Sequence, residues 1–223
     1  MRKNLCLFAG YDKNGLVDDY VLHSISSFSK FCDVYYCADC EMKPESLDRL
    51  KPFVKKSFAH RHKKYDFGSW SELIKHIGWE TIEKYENLIL VNDSVYGPFY
   101  DIQKVVKNFS NSNYDFYGFT PNPKRLTYHI QSYFFIFKHN IITDKIFQNF
   151  FDNIISVQNK VEIIKKYEKG LSYLLYKNGY KSDTFIKKAD CYYPNKIIKQ
   201  TQTRSTKYAL YIFCPLSRAY DTE

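Results

Sequence analysis

Asp93 is the residue in this chain best placed to do chemistry. It follows four consecutive apolar residues, Leu88, Ile89, Leu90 and Val91, and stands between Asn92 and Ser94, with Gly97 and Pro98 breaking the chain just beyond. An unbroken apolar run of this kind reads as a strand buried on both faces. Ligands of open α/β sheets gather outside the carboxyl ends of strands. A carboxylate there can meet a ligand's polar groups or a hard cation, which takes oxygen ligands; it can also do no more than cap a turn through its own backbone. His129 and Gln131 form a second set. They alternate along the apolar, β-rich stretch 128–138, so as strand residues they share a face. Two polar groups on such a face need partners, either in the core or in a site. The six cysteines at 6, 32, 37, 40, 191 and 214 include one CxxC, Cys37 to Cys40, with no second pair or histidine at zinc spacing. Reduced thiols are expected, not a metal centre.

Alternating strand and helix patterns must position these groups. Strands are expected over 5–9, 33–38, 57–60, 88–91, 114–120, 128–138 and 180–186, and helices over 16–31, 43–51, 101–109, 146–154 and 161–177. Gly10 opens a polar loop that ends at Gly15, after the first strand. Residues 63–70 read as a polar-aromatic loop, with Ser69 capping a helix that carries Leu73, Ile74, Ile77 and Ile82. This alternation predicts an α/β fold with a Rossmann-like, mostly parallel sheet flanked by helices, turning mixed in the second half. Residues 1–186 are expected to form one domain. Residues 187–223 form a tail of uncertain structure, in which 208–213 could be a strand. Neither GxGxxG nor GxxxxGK[ST] occurs, against a dinucleotide enzyme or a P-loop NTPase.

The formal charge of +9 suits anionic partners, but the longest basic run is only Arg61-His62-Lys63-Lys64, so nucleic acid is a secondary reading and none is expected as a partner. Tyr (21) and Phe (18) are abundant, which fits an aromatic-lined site or simply an AT-rich genome. The N-terminal apolar run is too short for a signal peptide or a membrane span. A cytoplasmic protein is expected, with the inner face of the plasma membrane as a place where it could work.

Four segments, Tyr65-Asp-Phe-Gly-Ser-Trp70, Asn92-Asp-Ser-Val-Tyr-Gly-Pro-Phe99, His129-Ile-Gln-Ser-Tyr-Phe134 and Tyr167-Glu-Lys-Gly-Leu171, resemble the rhamnan synthesis protein F family in the same order. The resemblance covers roughly residues 1–186, with the tail departing from the pattern. It implies a glycosyltransferase A-type fold and transfer of a sugar, often rhamnose, from a nucleoside-diphosphate donor to a glycan or lipid-linked oligosaccharide acceptor, with peripheral membrane association possible. Asn92-Asp93-Ser94 occupies the place of an Asp-x-Asp motif with one carboxylate instead of two. Mg2+ or Mn2+ would be held weakly by Asp93, or replaced by cations such as Lys63, Lys64, Lys124 and Arg125. Gly10, Asp66, Gly68, Ser94, His129 and Gln131 would line the donor site, Asp66 against the ribose or base. Gly68 would allow a turn that a side chain would block, and Trp70 reads as packing. Glu168 resembles the acidic helix-start motif of inverting transferases and would be the base. A non-catalytic glycan-binding or assembly module on the same fold is the rival reading.

Overall fold

The computed structural model describes residues 3–122, 128–157, 159–186 and 214–215. Its elements in chain order are β1 (Asn4–Gly10), α1 (Asp19–Ser29), β2 (Cys32–Ala38), α2 (Pro44–Asp48), β3 (Lys56–Ala59), α3 (Tyr65–Ile77), α4 (Trp79–Ile82), β4 (Asn87–Asn92), β5 (Val95–Tyr96) and α5 (Ile102–Ser110). They continue with β6 (Phe116–Gly118), β7 (Pro121–Asn122), β8 (His129–Ile130), β9 (Phe134–Lys138), α6 (His139–Ile142), α7 (Lys145–Asp152), α8 (Lys160–Ile163), a π-helical segment (Ile164–Glu168), α9 (Lys169–Lys177), β10 (Ser182–Thr184) and β11 (Cys214–Pro215).

Seven strands form one sheet in the order β10-β6-β9-β4-β1-β2-β3. All pairs are parallel except those of β9, which runs antiparallel between β4 and β6. This is the expected α/β class, a mostly parallel sheet flanked by helices, and mixed in its second half. The apolar runs are continuous because both faces are covered, and alternate residues serve opposite layers. Leu5, Leu7, Ala9, Leu88, Leu90, Phe135 and Phe137 face the layer of α3, α6, α7 and α9. Cys6, Phe8, Ile89, Val91, Phe134 and Ile136 face that of α1 and α5. Trp70 packs as expected: it is fully buried and its indole N–H donates to the Val91 carbonyl at 3.1 Å.

Three local expectations are corrected. Residues 65–70 are not loop: α3 begins at Tyr65, and Ser69 is buried inside the helix instead of capping it. The stretch 128–138 is two strands, β8 and β9, with a turn at Ser132 and Tyr133 between them, and β8 pairs antiparallel with the short β7. Glu168 does not open a helix, because Lys160 to Lys177 is helical throughout and Glu168 ends the π-helical turn inside it. The expected strand at 208–213 lies outside the described residues, although Cys214 and Pro215 pair antiparallel with β5. No helix among the described residues is long and apolar enough to cross a membrane.

Candidate functional site

The strand order reverses at β1, whose two neighbours are β2 and β4. The carboxyl ends of β1 and β4 lie side by side there, with Ala9 opposite Asn92. Such a switch point leaves a crevice outside the sheet edge. Gly10 and Asp93 each stand one residue beyond that pair.

Asp93 is 7% exposed, and its Oδ2 accepts the Tyr11 backbone N–H at 2.8 Å. Its own carbonyl accepts the Tyr20 hydroxyl at 3.0 Å. Asn92 ties the neighbouring groups together: its side-chain amide donates to Asp66 Oδ2 at 2.7 Å, and its Oδ1 accepts from the Ser94 amide at 3.0 Å and the Ser94 hydroxyl at 2.6 Å. Asp66, 26 residues before Asn92 in the chain, therefore meets Asp93 and Ser94 at one edge. Gly10 is a close-approach glycine, since a Cβ there would collide with the Tyr36 phenol. Burial, with the Asp93 charge adding to it, pushes that phenol well above its ordinary pKa, so it stays protonated. Gly68 is also a close-approach glycine and not a turn residue. It lies in the first turn of α3, where a Cβ would meet Lys64 Cβ and, at 2.8 Å, the His62 ring.

A second cluster lies one strand over on the same edge. The turn before β9 is joined to β4, as the Tyr133 carbonyl accepts the Asn92 amide at 3.3 Å. From this turn the Ser132 amide and hydroxyl donate to Glu168 Oε2 at 2.9 and 2.5 Å, while His129 Nε2 lies 2.9 Å from Glu168 Oε1. Burial raises the Glu168 pKa, but the hydrogen bonds from His129 and Ser132 outweigh it and hold the carboxyl below the usual Glu value. The π-helical turn aims Glu168 at this pair, a device that recurs at functional sites. Gln131 is not with them on a shared strand face. It follows β8, is half-buried, and its amide donates to the Thr120 carbonyl at 3.0 Å.

The cations sort differently from expectation. Lys64 is ion-paired with Glu72 along α3, Lys63 is exposed, and Lys124 and Arg125 lie outside the described residues. Arg61, which the sequence reading passed over, is instead fixed at the edge. Its Nη1 donates to the Asp39 carbonyl at 2.7 Å and its guanidinium lies over the Tyr11 ring at 5.5 Å. Asp39 was missed as well, although it follows β2 just as Asp93 follows β4. Its carboxylate accepts the backbone amides of Lys63, Lys64 and Tyr65 at 2.8, 3.1 and 2.8 Å.

Residues 34–217 match the family described as Rhamnan synthesis protein F. The chain belongs to this family. The match to rhamnan synthesis protein F runs through residues 187–217, which the sequence reading had set apart as departing from the pattern. The uncharacterized protein y4gN of Sinorhizobium fredii is 24% identical over 161 residues, which is 71% of this chain and 42% of that protein. The chain thus spans about two fifths of that relative. Among solved structures, a candidate nucleotide-diphospho-sugar transferase of Desulfovibrio desulfuricans superposes with a TM-score of 0.45 at 15% identity, covering 94% of each chain. Core-mannan synthase A of Aspergillus fumigatus, in its Mn/GDP form, superposes at 0.43 and 12% identity over 81% of this chain and 72% of that one.

Asp93 and Ser94 are oxygen donors of the kind a divalent cation takes, and Mg2+ commonly uses one or two carboxylates with substrate phosphates completing its shell. Among the described residues no group of three or more His, Cys, Asp or Glu is placed to hold a metal ion, so at this edge Asp93 would be the single carboxylate for one, with Asn92 spent on Asp66 and Ser94.

Proposed function

We propose that this chain is a glycosyltransferase that moves a sugar, rhamnose or another deoxyhexose, from a nucleoside-diphosphate donor to a growing surface glycan with inversion. The observation that carries the reading is the placement of Asp93 at the β1/β4 switch point, tied to Tyr11 and, through Asn92, near Asp66. Membership of the rhamnan synthesis protein F family supports it, as does the glycosyltransferase A-type order implied by the resemblance. The donor diphosphate lies over Gly10, Asp93 and Ser94, with Asp66 toward the ribose or base, Gly68 beneath it and His129 and Gln131 on the β9 side. Asp93 would hold a divalent ion, which would supply charge neutralisation for the leaving diphosphate. Arg61 adds positive charge at the same edge. The net charge of +9 suits the anionic donor and a lipid-linked oligosaccharide acceptor at the inner membrane face.

Glu168 is the base in this reading. A base must be ionised to take a proton, and hydrogen bonding keeps this carboxyl so at neutral pH. The acceptor hydroxyl replaces the Ser132 hydroxyl on Oε2, and the proton passes to the carboxylate as the acceptor oxygen bonds to the anomeric carbon and the bond from that carbon to the diphosphate oxygen breaks, releasing the nucleoside diphosphate.

The test is thermal unfolding with UDP, dTDP and GDP, with and without Mg2+ or Mn2+. A nucleotide at about 100 times its Kd should add roughly 2.7 kcal/mol of stability. Asp93→Asn should stay folded and lose the metal-dependent part of that gain, because Asn keeps the size but not the charge. If no nucleotide stabilises the protein at millimolar concentration, the transferase reading fails and the glycan-binding module takes its place.

A further inference from the structure

A cleft of about 360 Å3 lies between α5 and the strands β6 and β10, lined by none of the residues around Asp93. Its volume falls in the usual range of small-ligand sites, roughly 300–1,000 Å3. Its lining is aromatic with a few polar groups. Tyr100 and Tyr114 stand at its rim, 39% and 38% exposed, and Tyr117 and Phe185 form its inner wall. The Tyr117 ring packs against Phe109, which also lines the cleft, centroid to centroid 5.4 Å. Lys104 and Asn108 from α5, Ser112 just beyond it and Asp183 from β10 supply the polar groups.

We propose that this cleft is a saccharide subsite that takes a pyranose unit of a neutral glycan. A pyranose ring has an apolar C–H face and a rim of hydroxyls. Fixed aromatic rings match the first at little conformational cost, and an amide and a carboxylate match the second. Lys104 also lines the cleft and its ammonium lies 3.4 Å from Asp101, so with Asp183 in the wall the cleft carries no net positive charge to hold a phosphate. The chain that leaves Asp93 reaches the cleft at Tyr100, and on the way it exposes Tyr96 and Phe99, 39% and 56% exposed. The chain between the carboxyl edge and the cleft therefore carries exposed aromatic rings of the kind that saccharide rings stack on. That the bound glycan is the acceptor rests on the proposed function; that the cleft binds saccharide does not.

Isothermal titration of the full chain with a neutral rhamnose hexasaccharide tests this, with UDP titrated in parallel. The saccharide should bind, Tyr114→Ala should weaken it roughly tenfold, and Tyr114→Phe should restore it. Asp93→Asn should leave saccharide affinity unchanged, and Tyr114→Ala should leave the response to UDP unchanged. The absence of saccharide binding overturns the proposal. So does binding that Tyr114→Ala spares, or a UDP response that Tyr114→Ala removes, which would make the cleft a nucleotide site. A protein that ignores UDP yet binds the hexasaccharide through Tyr114 would sink the transferase reading and keep the subsite.

Discussion

Asp39 and Asp93 end the two strands that flank β1, yet their carboxylates serve different purposes. Asp39 closes the first turn of α3 by accepting three consecutive backbone amides, which satisfies donors that a helix start leaves unpaired. Asp93 accepts the Tyr11 amide from the loop after β1 and sits at the switch point. For Glu168 the expected outcome is sharp. Glu168→Gln keeps the shape and removes the basicity, so turnover at saturating donor should fall on the order of 10²-fold or more while nucleotide stabilisation survives. In the parent protein the acid limb of turnover should lie below the usual Glu range, because the folded carboxyl is held down and the base is lost only as pH falls through that value. Near-normal turnover of the variant would remove Glu168 from the mechanism. Glu168, His129 and Asp93 were legible from residue type and resemblance. Ser132 and Asp39 were not, because a serine in a turn and an aspartate after a strand carry no mark of the distant groups they bind.

At the scale of elements, the start of α3 is where local reading fails, and the reason is physical. Its cap comes from Asp39 on another strand, so no Ser or Asp immediately before Tyr65 announces it. To present their amides to Asp39, Lys63 and Tyr65 take left-handed backbone angles, φ +58° and +55°, which cost energy for side-chain-bearing residues. His62 completes the arrangement. Its Nδ1 accepts the Lys64 amide at 3.2 Å and its Nε2 lies 3.0 Å from the Ser69 hydroxyl, so the proton of the neutral ring sits on Nε2. Burial lowers its pKa to about 4, against the pull of Asp39. This folded value is below the unfolded one of about 6.5. The unfolded chain thus binds more protons between the two, and stability present above pH ~6.5 is lost as pH falls toward ~4, at up to about 1.4 kcal/mol per pH unit. Urea midpoints at pH 7 and 4.5 check this: His62→Gln should narrow the gap between them, and an unchanged gap would assign the acid sensitivity elsewhere. The π-helical turn at Glu168 was likewise hidden, since a one-residue widening leaves the apolar spacing of the helix nearly intact.

Across the whole molecule, the sheet was the most legible feature, because apolar runs such as Leu88 to Val91 and Phe134 to Phe137 have no other place to go. The antiparallel course of β9 was legible only as a sheet turning mixed in its second half, and its place between β4 and β6 was not, as strand composition does not say which neighbours a strand takes. The family match begins at Val34, inside β2, but β1 is the strand both β2 and β4 pair with, and Leu5 to Ala9 are at most 1% exposed. A chain cut to residues 34–217 should therefore fail to fold, since each such side chain contributes about 1.5–3 kcal/mol on burial against a total stability of roughly 5–15 kcal/mol. Soluble expression with a cooperative melt would contradict this. The insertion of β9 between β4 and β6 also sets a timetable on the ribosome. Once β4 has been made, β1 can cover one of its edges, but the other stays open until residues 93–138 have emerged, about 2–9 s at 5–20 residues per second. During that interval the nascent chain carries an unpaired, apolar strand edge of the sort that seeks other chains. A translational pause placed between β4 and β9 should thus lower soluble yield, whereas the same pause after β10 should not.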